Sequence, residues 1–242
     1  MKKSLIFASA CLPLFAHAMN PLVTDDTGTQ DTGNWQYEFS SEWASQPTSR
    51  TQEWGSVLTY GVTPALDIAL STPYQRSRND GESWVSGFSD PQIQAKWRFH
   101  ESDSWRFGFK PFVSLPLASK DRGLGNGRST YGGTLLMQYD IGAWTWLGNV
   151  GYTRNNNSDD NRVNLWQAST AVLFQATETL RLAFDIGLAT NPDRSSSTKP
   201  AYALVGAIYS VNKDLDLDIG YKRGLNPQSL QHSVQAGATI RW

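Results

Sequence analysis

The sequence predicts an all-β chain folded as a transmembrane antiparallel up-and-down β-barrel of about twelve strands. Three observations predict it. An export signal opens the chain, apolar and polar residues alternate with period two along segments of roughly ten residues, and the connections alternate between tight and long.

Lys2 and Lys3 precede an apolar run from Leu5 to Phe15, which ends at the small-residue pattern Ala16, His17, Ala18. That is the layout of a secretory signal peptide, with cleavage expected after Ala18. The expected organisation is residues 1–18 as signal, 19–33 as a polar segment in the periplasm or the lumen, and 34–242 as barrel. Cleavage would remove the only cysteine, Cys11, and with it any disulfide or thiolate metal site. After the signal no run reaches the roughly 18 to 20 apolar residues of a membrane helix.

Charge excludes another class. Lys and Arg total 21 against 22 Asp and Glu, with no basic run beyond the signal, so nucleic acid is not an expected partner. The chain has 10 Trp, 9 Tyr and 10 Phe, a heavy load for a soluble exported domain and a usual one where rings sit at a bilayer interface.

The alternation is clearest where Ile93, Ala95, Trp97 and Phe99 interleave with Gln92, Gln94, Lys96, Arg98 and His100. The next strand repeats it, with Trp105, Phe107, Phe109 and Val113 against Arg106, Gly108, Lys110 and Ser114. The strand from Trp166 to Phe174 alternates less cleanly, with Trp166, Ala168, Val172 and Phe174 assigned to the lipid face, and the run from Ala201 to Val211 is ambiguous. Pro111 and Pro116 mark a kink or a bulge in one strand.

Tight links are expected at Thr63–Pro64, Glu101–Ser104, Gly142–Ala143, Thr177–Thr179 and Asn212–Asp214. Long loops are expected at Ala44–Arg50, Thr72–Asp90, Lys120–Arg128, Asn155–Arg162, Thr190–Lys199 and Arg223–Ser229. This alternation requires an even strand count and puts both termini at the tight-turn end, the periplasmic side of an outer-membrane barrel. The last strand, Leu230 to Trp242, is amphipathic and ends on an aromatic ring, the type of signal read by outer-membrane assembly machinery.

On this register the lumen receives Glu38, Glu42, Glu53 and Asp67 from the first three strands and Lys96, Arg98, Arg106 and Lys110 from the next two. Asp140, Asp185, Asp216 and Asp218 follow, with Lys222 and Arg241 near closure, where Arg241 should stand beside the acidic wall. Acid and base on different walls would impose a transverse field on passing solutes. The same groups would equally pair and fill the lumen, since barrels of about eight strands are packed shut and those of about sixteen are open.

Catalysis has little support. His100 and His232 have no partner motif, and His232 and Ser233, being consecutive, point to opposite faces. Asp121, Asp159 and Asp160 lie in polar loops without the spacing of a calcium cage. Trp35, Trp43, Trp54, Trp97, Trp105, Trp144, Trp146 and Trp242 read as interface girdles.

The segment Asn20-Pro21-Leu22-Val23-Thr24-Asp25-Asp26-Thr27-Gly28-Thr29-Gln30, followed by Gly33, Trp35 and Glu38, resembles the opening of the outer-membrane transporter family named for the meta-pathway of phenol degradation. The resemblance continues through Gly87, Asp90, Lys96 and Trp97, through Leu115-Pro116 with Gly123, Gly125 and Gly127, and into Gly237-Ala238-Thr239-Ile240-Arg241-Trp242, while Asp31 and Ser89 depart from it. It implies a barrel that admits aromatic or other hydrophobic compounds, with no cofactor and no resident metal. The expected function is therefore a non-enzymatic, porin-like channel in the outer membrane of a Gram-negative-type cell, taking up small molecules passively. Its expected partners are outer-membrane lipid, the assembly machinery and a small-molecule solute. A closed structural or partner-binding barrel and a barrel hydrolase are the other readings.

Overall fold

The computed structural model describes residues 20–242; the expected signal peptide, its cleavage point and Cys11 lie outside the described residues. The strands are β1 (Trp35–Ser45), β2 (Ser49–Thr63), β3 (Leu66–Ser71), β4 (Tyr74–Asn79), β5 (Val85–Phe88), β6 (Gln92–Glu101) and β7 (Trp105–Ser114). They continue as β8 (Tyr131–Ile141), β9 (Trp144–Arg154), β10 (Asn164–Gln175), β11 (Leu180–Ala189), β12 (Ala201–Asn212), β13 (Leu215–Gly224) and β14 (His232–Arg241).

All are joined in one antiparallel 14-stranded sheet that closes on itself where β1 pairs with β14. Both β3 and β4 pair with β2, one above the other, and β5 and β6 pair with β4 and β3 in turn. Each of these couples is one wall strand interrupted near a proline, Pro73 or Pro91, which has no amide hydrogen to give to the ladder. The wall is thus a barrel of 12 strands. Closure removes the open edge that any flat sheet would present to lipid.

Period two drives each strand to present one apolar face. Ile93, Trp97 and Phe99 of β6 and Leu182, Phe184, Ile186 and Leu188 of β11 are all exposed on the outside. Rings pair near both strand ends: Trp105 with Tyr139 and Trp144 with Phe174 at the turn end, and Trp54 with Tyr74, Tyr74 with Phe88 and Tyr152 with Trp166 at the loop end. These are the two girdles of a membrane barrel.

Two of the expected loops are strand instead. β1 and β2 run on until only Gln46, Pro47 and Thr48 join them, and most of Thr72–Asp90 is the β4–β5 hairpin. The hairpin carries Gln75, Arg76, Ser77, Arg78 and Asn79, polar on both faces, because it stands beyond the apolar belt. The expected loops around Asn155–Arg162 and Thr190–Lys199 are long connections, and the longest is 115–130. It folds inward, placing buried Leu124 against Gly87 and letting Gln75 Nε2 donate to the Gly123 carbonyl.

Pro111 sits in the β6–β7 pairing, which is interrupted between Gln94↔Phe112 and Trp97↔Phe109 with the same register on both sides. It marks missing ladder bonds rather than a bulge. Pro116 lies beyond the end of β7.

Candidate functional site

Residues 20–33 form no strand; they enter the barrel at its turn end and cross the lumen as a strap. Near the root, Gly33 and Asn34 exchange backbone hydrogen bonds with Gly61, Thr29 Oγ1 donates to the Pro64 carbonyl, and the Gln30 amide donates to Asp67. Further in, the Thr27 amide and hydroxyl both donate to Gln138 Oε1.

At the centre, Asp25 is 1% exposed and lies 2.6 Å from Lys110 Nζ and 2.9 Å from Lys96 Nζ, while Asp26 stands 3.2 Å from Lys96. Burial opposes ionisation of the Asp25 carboxyl, but Lys110 and Lys96 beside it more than offset that and hold it below the usual carboxylate value. The Asn149 amide completes the clasp, accepting from the Asp25 N–H at 2.7 Å and donating to its carbonyl at 3.0 Å.

Beyond this latch the strap meets the opposite wall. The Val23 and Thr24 amides and the Thr24 hydroxyl donate to Asp185, which also accepts from the Tyr202 hydroxyl. Leu22 packs into an interior cluster with Leu147, Ala171, Leu173, Ala183, Leu204 and Ile208. Pro21 lies so close to Gly206 and Gly220 that a Cβ there would stand 2.6 Å and 2.8 Å from its ring.

Two cavities flank the strap. One, of about 300 Å3, touches Glu38, Asp67, Lys96, Asp216, Asp218 and Arg241. The other, of about 520 Å3, lies toward the turn end between Asp26, Gln138, Thr145, Leu173 and Arg181.

The charged residues named from the sequence carry their side chains on the inner face, but their pairing differs from two opposed walls. Lys96 and Lys110 are answered by the strap's carboxylates, and Asp185 is occupied by the strap's amides. Arg106 pairs with Asp140 and Glu101, and Arg98 with Glu101 and the Pro64 carbonyl. Arg241 stands 3.0 Å from Asp216 beside Gln36, and Arg181 reaches the same carboxylate. Lys222 pairs with Glu42, opposite which Glu53 lies in register. Glu38, Asp67 and Asp218 border the cavities or the strap's root.

Sequence reasoning missed Asp25, Asp26, Thr24 and Gln138. The one signal available was an acidic pair in a polar segment ahead of the first strand.

His232 Nδ1 lies 2.5 Å from the Tyr221 hydroxyl on the outer face, whereas Ser233 is buried inside, so the two cannot act together. Among the described residues no group of three or more His, Cys, Asp or Glu is placed to hold a metal. Asp159 is paired with Lys120 and Asp160 with Arg194.

Residues 20–242 match the family described as "Putative MetA-pathway of phenol degradation". The chain belongs to this family. No curated protein matches the chain significantly. Among solved structures, the chain is similar to an outer membrane channel from Pseudomonas putida F1, with a TM-score of 0.72 at 13% identity over 90% of this chain and 98% of that one. It is also similar to the KdgM porin, with a TM-score of 0.56 at 7% identity over 85% of this chain and 98% of that one. At such identities the likeness speaks for the fold, which is that of an outer-membrane barrel.

Proposed function

We propose that the protein is an outer-membrane channel through which small molecules diffuse without an energy source. The observation that carries this reading is that the interior is neither packed shut nor freely open: cavities of about 300 and 520 Å3 lie on either side of a strap held chiefly by polar contacts. Ion pairs and hydrogen bonds are released when one partner is neutralised or replaced, whereas an interdigitated apolar core offers no such handle. The strap is then the element that meters the lumen.

In this reading the turn end, where the strap enters and Trp242 closes the seam with Trp35, faces the periplasm. The C-terminal strand ending in Trp242 is the segment offered to the assembly machinery. Aromatic or hydrophobic solutes are the substrate class favoured by family membership. A second route has its own observation. β5 pairs only with β4, its wall strand is broken at Pro91, and Phe88 and Leu117 beside the break are 68% and 75% exposed, where an apolar solute would leave sideways.

The test is single-channel conductance of the refolded chain in a planar bilayer. Steady conductance whose selectivity moves toward cations in Arg98→Glu and Arg106→Glu supports a water-filled, charge-lined pore. No conductance, even with residues 19–33 deleted, overturns it and leaves lateral passage or a structural barrel.

A further inference from the structure

The outer face carries a row of cations immediately beyond the loop-end girdle. In antiparallel pairing, directly opposed residues point to the same face. The registers Arg223↔His232, His232↔Ser45, Ser45↔Arg50 and Arg50↔Arg78 therefore place Arg223, His232, Arg50 and Arg78 at one height across β13, β14, β1, β2 and β4. The adjoining row toward the membrane is Tyr221, Val234, Trp43, Gln52 and Arg76. Tyr221, Val234 and Trp43 are exposed at 41–43%, so on these strands this row is the edge of the apolar belt, which Gln52 and Arg76 leave on β2 and β4. At about 4.8 Å per strand the cationic row is about 19 Å long.

Like charges directly opposite one another destabilise a sheet unless something answers them. No carboxylate shares either row, and among the described residues Arg50, Arg76, Arg78 and Arg223 make no ion pair. Arg50 Nη1 donates to the carbonyls of Gln46 and Ser49. The guanidiniums of Arg76 and Arg78 lie over the Trp84 ring at 4.2 and 4.9 Å from its centre, which orients them and leaves edge donors free. Of the two acids at the hairpin tip, Glu82 accepts from Asn79 Nδ2, and Asp80 makes no ion pair with the row among the described residues.

We propose that this row binds the phosphorylated headgroups of lipids in the leaflet at the loop end. A guanidinium fork accepts a phosphate bidentately, and the row lies where headgroup phosphates meet the girdle of a membrane barrel. The inference rests on the outer-membrane reading above, and supplies the lipid partner with a named site.

The test compares the full chain with the triple variant Arg50→Gln, Arg78→Gln, Arg223→Gln and the single variant Arg78→Gln, with Arg154→Gln on the far side of the barrel as the charge-matched control for the single change. Native mass spectrometry counts bound bisphosphorylated glycolipid, and thermal unfolding is followed in symmetric bilayers of that lipid or of neutral phosphatidylcholine. The expected result is about tenfold or more weaker glycolipid retention in the triple variant, loss of the extra stabilisation by phosphorylated lipid, and no change in Arg154→Gln. If the triple variant does not fold, the single exposed change Arg78→Gln is expected to show the same direction. Equal retention by wild type and variant, or equal stabilisation by neutral lipid, overturns the proposal. So does reproduction of the effect by millimolar inorganic phosphate, which would make the row a free-anion site. Conductance of the same samples is read in parallel, so a silent channel that still retains glycolipid sinks the pore and not the lipid site.

Discussion

The Asp25 carboxylate lies 2.6 Å from Lys110 Nζ, deep inside the barrel and on a segment that belongs to none of its strands. Removing one partner of a buried pair leaves the other charge uncompensated, at a cost of roughly 3–5 kcal/mol. Asp25→Asn is therefore expected to weaken strap docking and leave the wall intact. Hydrogen exchange of the Val23 and Thr24 amides, which are bonded to Asp185, should accelerate by about two orders of magnitude, with strand amides unchanged. Unchanged exchange at both amides would refute the latch.

The pH dependence of docking follows from the same carboxyl. Its value in the folded chain lies below the usual one, so its contribution is complete above the ordinary carboxylate range and is lost as pH falls through the lowered value. Asp67 and Asp185 also hold the strap, so the quantity to measure is the difference in strap protection between wild type and Asp25→Asn. That difference should be flat from about pH 8 to 5 and shrink only below about pH 4. A difference already shrinking near pH 6 would contradict the depressed value.

At the strap's root the wall makes room with Gly61. A Cβ there would stand 2.2 Å from the Asp31 carbonyl oxygen and 2.6 Å from that of Gln30, both backbone atoms with little freedom to move. Gly61→Ala is expected to cost docking about 1–3 kcal/mol, while β2 keeps its pairing with β1 and β3. Limited proteolysis should cut the strap faster, with the heat-modifiable gel shift of the folded barrel retained. A strap as resistant as wild type would show that the close approach is not a constraint.

Legibility varied along the chain for physical reasons. β6 and β7 were plain because one face meets lipid and the other meets water and charge. β10 and β12 alternate less cleanly because both of their faces are apolar: Ala171, Leu173, Leu204 and Ile208 point inward onto Leu22 of the strap, while Val172, Val205 and Tyr209 point outward; the lipid face assigned to β10 through Trp166 and Val172 is the exposed one, and only β12 was left unphased. The β4–β5 hairpin was read as a loop because it lies beyond the apolar belt and shows no alternation.

The sequence by itself determined the period-two walls, the even closure and the polarity of the inner face, since each follows from residues adjacent along the chain. Tertiary structure alone decided where the strap goes and which charges remain to face the lumen. Asp25 and Lys110 are 85 positions apart, and Thr24 and Asp185 are 161 apart. No local pattern couples such pairs; closing the barrel brings them within bonding distance, and burial then compels each charge to find a partner.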